Sequence, residues 1–248
     1  MLGSEGLGPN DSIRPVLKNG TWGIGFIGLA ETLKILTGYH HGEKEESAEL
    51  GERIVRTIRE LCDVFTKELS LNFSCYATPA EGLSGHFTKL DVEKFGEIDW
   101  VTTKGFYTNS FHVPVDYLIS MKRKLEIEAP YHALCNGGHI SYVELDGYPT
   151  ADVIEEIISG AYDTTDISCV SINFHIRYCT ECGTYVDASN DTYTCPKCGC
   201  NKLQGISRVT GYLGLDERFG PGKVAERAAR VAHSESNFGK NMYHIKPV

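Results

Sequence analysis

Four cysteines stand in two short pairs, Cys179-Thr-Glu-Cys182 and Cys195-Pro-Lys-Cys198, with twelve residues between them. A CxxC followed by glycine folds into a tight knuckle that presents two thiolates to one ion. Four soft ligands from two such turns suit tetrahedral zinc at about 2.3 Å per Zn–S bond. The intervening TYVDASNDTYT is too short and too polar for a core, so the metal supplies most of the module's folding free energy. A redox CxxC, unrelated thiols or an iron site are the alternatives. A fifth sulfur would overfill a closed site, which leaves Cys200 outside the ligand set. Ribbons of this kind serve nucleic-acid binding, protein docking or plain stapling; with few aromatics or arginines suited to bases, this one reads as structural. Beyond it runs Ile206-Ser-Arg208-Val209-Thr210-Gly211-Tyr212-Leu213-Gly214, then Phe219-Gly-Pro-Gly-Lys223, Glu226, Arg227, Arg230 and His233. Taken alone, that stretch reads as a strand, a glycine turn and a basic-acidic helix.

The chain that must position these residues has 248 residues, 41% of them apolar and 23% charged, which suits a globular core and excludes a disordered or fibrous class. Lys and Arg number 24 against 33 acids, a net charge of −9, which argues against nucleic acid as a partner. No apolar run approaches the ~20 residues of a spanning helix, and MLGSEGLGPNDS lacks the marks of a secretory leader, so no membrane partner is expected. Nine cysteines, an odd number without an export signal, favour reduced thiols and a cytoplasmic location.

Read for its elements, the opening stretch to Asn19 is loop. Phe26, Ile27, Leu29, Ala30, Leu33 and Leu36 recur at three and four, which predicts a buried helix over 22–36 stopped by Gly38. After the charged segment HHGEKEE, Leu50, Ile54, Ile58, Leu61, Phe65 and Leu69 mark one stripe of a long amphipathic helix. Asn72 to Ala77 reads as a strand, Thr78 to Gly82 as a turn, and 85–113 as a long irregular region of the kind that often carries function. A weakly periodic helix is expected over 115–128 and a strand over 139–145. Thr150 caps a helix ending at Gly160, and Ile167 to Ile176 is a further strand. The alternation predicts a parallel or mixed α/β core. Cys62 and Cys75 read as small buried hydrophobes, as does Cys135 less securely, and His40-His41 as a solvated hinge whose neighbouring side chains point apart.

The RVxGY core, a dozen residues after CxxC…CxxC, closely resembles the glycyl-radical loop of the anaerobic, class III ribonucleotide reductases. GPNDSI, IGFIGLAETL, TGYHHGE, ATPAEGLSG, Thr108-Asn-Ser-Phe-His-Val-Pro114 and Cys135-Asn-Gly-Gly-His139 extend the resemblance over nearly the whole chain. The resemblance implies the C-terminal half of a ten-stranded α/β barrel related to pyruvate formate-lyase, with a small zinc module and a glycyl radical loop. The corresponding division is 1–176 for the partial barrel, 177–204 for the four-cysteine module, and 205–248 for radical loop and tail.

By the same resemblance Gly211 is the radical bearer, with Gly214 a distant second. A radical shared between amide nitrogen and carbonyl needs a planar Cα, which a Cβ would crowd. A radical S-adenosylmethionine activase makes the radical, and a barrel cysteine passes it to a ribonucleoside triphosphate. A reductant, formate or a thiol protein, completes the deoxyribonucleotide. The cysteine that becomes the thiyl is not among the residues matched here, so the chain reads as truncated or as one piece of a split enzyme, acting as a homodimer or with a complementing N-terminal half.

Toward such a substrate Asn109, Ser110 and His112 offer donors, and Asn136, Gly137, Gly138 and His139 offer backbone amides and an imidazole. Each reads equally well as a loop cap or strand-end hydrogen bond. Arg227, Arg230 and His233 suit a solvent-facing helix or a dock for the activase. The competing functions are a zinc-ribbon binding or structural module, and a spare-part protein that restores a radical site to a damaged lyase.

Overall fold

A computed structural model of the chain describes residues 4–187, 193–208 and 211–233. A short helix α1 (Arg14–Leu17) interrupts the expected opening loop, and strand β1 (Thr21–Phe26) follows. Helices α2 (Leu29–Thr37) and α3 (Glu45–Leu69) then lead to β2 (Asn72–Ala77), which pairs in parallel with β1 from Thr21↔Asn72 to Phe26↔Ala77. A second parallel unit follows helices α4 (Gly82–Phe95) and α5 (Met121–Leu134). In it β3 (Ser141–Glu144), α6 (Ala151–Thr164) and β4 (Val170–Asn173) pair Ser141 with Val170 and Glu144 with Asn173. The last sheet is antiparallel. Its order is β6 (Tyr185–Asp187), β5 (Ile176–Cys179), β7 (Leu203–Arg208) and β8 (Leu213–Leu215), followed by α7 (Pro221–Ala229). Strand β7 runs across the boundary placed at 204/205.

The long α3 and strand β2 are where the sequence pattern puts them, but of the expected α3 stripe only Leu50, Ile54 and Ile58 pack against the core, Leu61, Phe65 and Leu69 being exposed and the buried face being Ser47, Gly51, Val55 and Cys62. Leu33 and Val55 meet Cys62, Cys75 and Cys135 in one buried cluster, so the three thiols serve as small hydrophobes. A second cluster joins α5 and α6 to β3 through Leu125, Val143 and Ile157. Thr150 caps α6 as expected, its hydroxyl accepting from Val153 N at 3.4 Å, and the helix runs on past Gly160 to Thr164.

Several expectations are corrected. The helix predicted over 22–36 splits into a strand and a helix. Two glycines among Thr21, Trp22, Ile24 and Phe26 disfavour helix, and a Cβ on Gly25 would fall 1.6 Å from Thr78 Oγ1, so the close strand packing needs glycine there. Gly28 (φ +73°) turns the chain into α2, and Gly38 (φ +83°) ends it in the left-handed conformation. Helix α4 lies inside the stretch expected to be irregular. Its buried face is Ser84 and Thr88 rather than an apolar stripe, while Leu83, Phe87 and Leu90 are exposed, so hydrophobic periodicity could not reveal it. Ser120 starts α5 six residues later than expected, its hydroxyl accepting from Arg123 N. The strand expected over 167–176 becomes β4 and β5, which belong to different sheets.

The doublet His40-His41 is not solvated. The two rings do not point apart but meet edge to face, centroids 6.1 Å apart, and each finds a further partner. His40 stacks on Trp100 (centroids 5.3 Å apart), and His41 Nε2 meets Phe111 O at 2.9 Å. Burial pushes His40 down to about 3 and His41 to about 4, so both are neutral near pH 7. Among the described residues no helix is long and apolar enough to cross a membrane.

Helices α4 and α7 cross through two glycines: a Cβ on Gly85 would lie 2.8 Å from the Gly222 Cα. Gly85→Val should therefore lower stability by about 1–3 kcal/mol, read as a lower denaturation midpoint. Gly82→Ala, with no atom within 4 Å of the new Cβ, should leave the midpoint unchanged or slightly higher.

Candidate metal centre and glycine cavity

The two CxxC turns have the same backbone. Gly183 N donates to Cys179 O (2.9 Å) and Cys179 N to Thr184 O (2.9 Å). In the second turn Gly199 N donates to Cys195 O (2.8 Å) and Cys195 N to Cys200 O (2.7 Å). Gly183 and Gly199 both take the left-handed conformation (φ +70° and +72°) that each turn needs to bring its second cysteine back to the first. The thiols of Cys179, Cys182, Cys195 and Cys198 all lie within 4.8 Å of one another. The Cys179–Cys198 and Cys182–Cys195 sulfurs are 3.6 Å apart, against the roughly 3.8 Å edge of a tetrahedron with Zn–S bonds of about 2.3 Å. The four sulfurs thus fit one tetrahedral ion. The apolar cluster beneath them is small, with Val186 and Leu203 its only non-cysteine members among the described residues.

The second focus is Gly211. Strands β7 and β8 pair as a hairpin, Arg208 opposite Leu213, and Gly211 lies in the connection at its tip; Val209 and Thr210 lie outside the described residues. Gly211 lines a cavity of 190 Å³ together with Asn109, His112, Gly138 and His139, and with Tyr76, Thr78, Ile140 and Tyr142. Four of the seven polar candidates therefore converge on the glycine. The wall residues Tyr76, Ile140 and Tyr142 were not singled out from sequence; the position of Thr78 and Pro79 just beyond the carboxyl end of a parallel strand was the available signal. A wider groove of 1180 Å³ between α4 and residues 212–225 contains Tyr212 and Leu213 but none of the polar candidates.

Each candidate is held by a specific element. Asn109 Oδ1 accepts from Ala80 N at 2.8 Å, and its Nδ2 reaches Glu226 on α7 at 3.4 Å. Ser110 is buried at φ +41° with no hydrogen-bond partner for its hydroxyl, and it does not line the cavity. His112 lies 3.6 Å from Glu128, and burial lowers its pKa. Burial works to raise the Glu128 pKa, but Lys124 (2.5 Å) and His112 outweigh it and hold the carboxylate well below its usual range.

Residues 136–138 run beside β2. Asn136 Oδ1 accepts from Cys75 N (3.1 Å), Gly137 N donates to Cys75 O (2.7 Å), and Gly138 O accepts from Ala77 N (3.0 Å). A Cβ at Gly137 would meet Ser74 Oγ at 2.6 Å, and one at Gly138 the Tyr76 ring at 2.8 Å. Asn136 and Gly137 are thus spent on the wall and do not line the cavity. His139 Nδ1 donates to Cys135 O (2.7 Å) and its Nε2 meets Ser168 Oγ (2.7 Å), so both ring nitrogens are engaged within the protein.

The root of the hairpin is bolted down. Arg208 stacks over the Tyr142 ring (3.7 Å) and donates to Glu144 Oε1 (2.8 Å), while its carbonyl accepts from Arg230 Nη2 (3.0 Å). Arg230 also donates to Glu226 (3.0 Å), and Glu144 N donates to His233 Nδ1 (2.9 Å). His233 is therefore buried and Arg230 turned largely inward rather than displayed, because each meets a polar partner inside. Arg227, half-exposed, donates to Ser207 Oγ (2.8 Å) and pairs with Asp216.

Two parallel strand pairs with their helices, and a sheet closed by four clustered thiols, define an α/β protein able to hold a metal ion beside a glycine-tipped hairpin. The profile of the anaerobic ribonucleoside-triphosphate reductase family matches residues 1–233, and the chain belongs to that family. It is 36% identical over 242 residues to the anaerobic ribonucleoside-triphosphate reductase of Escherichia coli K12, covering 92% of this chain and 33% of that protein. Against that of Enterobacteria phage T4 it is 37% identical over 237 residues, covering 92% and 37%. A solved anaerobic ribonucleotide reductase superposes with a TM-score of 0.73 at 22% identity over 87% of this chain and 34% of the other. That from Thermotoga maritima in complex with dATP and CTP gives 0.67 at 22% over 84% and 33%. The chain spans about a third of the length of these relatives.

Two outcomes are expected. Chelation of the bound metal should make the β5–β8 sheet protease-sensitive while the parallel units keep their helical circular dichroism, with one metal ion released per chain by elemental analysis. Glu144 is held down to about 2: burial alone would raise it, but Arg208 and Arg230 prevail. A lowered folded-state pKa contributes stability that is full above the ordinary value of 4.5 and fades as pH falls toward 2. Denaturation midpoints measured at pH 7, 4 and 3 should fall less steeply for Glu144→Gln than for the parent chain.

Proposed function

We propose that this chain is the radical-bearing portion of an anaerobic ribonucleoside-triphosphate reductase, and that Gly211 carries the radical. The observation that carries the reading is the position of Gly211, exposed at a hairpin tip on a cavity shared with Asn109, His112, Gly138 and His139. Among the described residues no atom lies within 4 Å of where its Cβ would be. Gly25, Gly85 and Gly137 are glycines because a Cβ would collide. At Gly211, as at Gly82 and Gly220, the described residues leave open space, so packing does not demand glycine there, and this reading takes the chemistry of its Cα as the reason for the residue type.

In this reading residues 1–176 form part of a ten-stranded barrel, 177–204 a zinc module, and 205–248 the radical loop and tail. A radical S-adenosylmethionine activase removes the Gly211 hydrogen, and a cysteine supplied from the remaining two-thirds of the family's length receives the radical. The ribose of a ribonucleoside triphosphate then meets the wall formed by Asn109, His112, Gly138 and His139, with Ser110, Asn136 and Gly137 fixing that wall from behind. The cavity's 190 Å³ falls short of the ~300–1,000 Å³ usual for small-molecule sites, as one wall of a larger site would. Formate or a thiol protein supplies the electrons, and a homodimer or a complementing N-terminal half completes the enzyme.

The test is electron paramagnetic resonance after anaerobic incubation with a family activase, S-adenosylmethionine and reductant. An air-sensitive doublet is expected, with cleavage at Gly211 on exposure to oxygen. Gly211→Ala should abolish both, while Gly214→Ala should retain them. A doublet from Gly211→Ala would place the spin elsewhere, and a zinc-loaded chain that stays silent would favour a purely structural ribbon.

A further inference from the structure

The two knuckles differ at one telling position. In the first, the residue five places after the leading cysteine is Thr184, whose hydroxyl lies 3.3 Å from the Cys182 sulfur. In the second, the equivalent residue is Cys200, whose carbonyl accepts from Cys195 N just as the Thr184 carbonyl accepts from Cys179 N. Its sulfur lies 3.3 Å from that of Cys179, closer than the 3.6 Å between paired ligands. Four sulfurs already complete a tetrahedron, so Cys200 is a spare thiol in contact with a ligand. Cys200 is partly exposed, whereas Cys179 is fully buried.

We propose that Cys200 and Cys179 form a reversible disulfide that releases the metal under peroxide, making the module a site of oxidative modification. The inference rests on the reading of the four cysteines as a metal site. Peroxide oxidises the Cys200 thiol: an S–O bond forms, the O–O bond breaks, and water leaves. The Cys179 thiolate then attacks the Cys200 sulfur, forming the S–S bond and expelling hydroxide, and the ion, left with three sulfurs, departs. In sum one thiol, one thiolate and one peroxide give one disulfide, one water and one hydroxide. Closing from 3.3 Å to a bond of about 2.05 Å requires little more than 1 Å of movement. Cys179 ends β5 opposite Leu203, which begins β7, so the bridge would form at the root of the strand that leads to Gly211. A dithiol reverses the step.

The experiment uses the full chain loaded with zinc and treated with hydrogen peroxide, zinc release being followed with a chromogenic chelator and disulfides mapped by mass spectrometry after alkylation. A Cys179–Cys200 link appearing together with zinc release, both reversed by dithiothreitol, is the expected result. Cys200→Thr, which copies the sister knuckle, should bind zinc in full and release it about tenfold more slowly, having lost its adjacent resolving thiol. Equal release rates, links confined to the four ligands with Cys200 alkylated, or a lower zinc content in Cys200→Thr would each overturn the proposal. A parent chain that holds no zinc before oxidation overturns the metal reading instead; the Cys179–Cys200 link in that metal-free chain would still support the sulfur contact, and its absence would defeat it.

Discussion

Arg208 lies at the junction of the chain's three parts, and the placement of the glycine hairpin depends on it. Its guanidinium stacks over Tyr142 and bonds Glu144, both on β3, while its carbonyl is held by Arg230 of the segment after α7. Desolvating these charges is costly, and the arrangement persists because each has a partner of the opposite sign or an aromatic face. Losing one member would leave a buried charge alone, at a cost of about 3–5 kcal/mol. Because Arg208 is also the last residue of β7, the same contacts fix the root of the hairpin whose connection contains Gly211.

The cavity wall is built from close backbone approach rather than from free polar groups. Gly137 and Gly138 let residues 136–138 run against β2, and the amides of that run are consumed by Cys75 and Cys135. His139 is likewise held at both nitrogens. On the side of the cavity formed by residues 138–139, therefore, the polar atoms are largely committed to hydrogen bonds within the protein.

How far the sequence alone carried depends on what each element buries. The extent of α3, β2 and the Thr150 cap were readable because periodicity and capping are local, but the buried face of α3 was not, since Leu61, Phe65 and Leu69 of its apolar stripe stay exposed while Ser47, Gly51 and Cys62 are covered. The metal knuckles were readable because ligand type and spacing leave little freedom. β1 was misread since Phe26 through Leu36 do recur at helical spacing; only the parallel contact with β2 and the collision at Gly25 select a strand before Gly28. α4 was missed because it packs through Ser84, Gly85 and Thr88. The burial of His40, His41 and His233 and the inward turn of Arg230 were also beyond reach, because Trp100, Phe111, Glu144 and the Arg208 carbonyl that they meet lie far away in sequence. The candidate site was half legible: residue types pointed to the polar wall, but only the fold shows Tyr76, Thr78 and Tyr142 joining it and Ser110 and Asn136 left out.

The four-cysteine cluster and Gly211 sit at opposite ends of β7, whose six residues span roughly 17–20 Å, so an ion held by the cysteines would lie too far away to touch the glycine. Its influence has to pass through register. Cys179 pairs with Leu203 beside the knuckles, and that pairing fixes Arg177 opposite Gly205 and Ile176 opposite Ile206. A slip of one residue would turn every side chain of β7 to the other face, taking Arg208 away from Tyr142 and Glu144. The apolar cluster at the cysteine end is small, so the four clustered sulfurs, able to hold one ion, and the buried Arg208 guanidinium at the other end are what fix that register. Gly211 lies beyond the second of these points, with open space around it among the described residues.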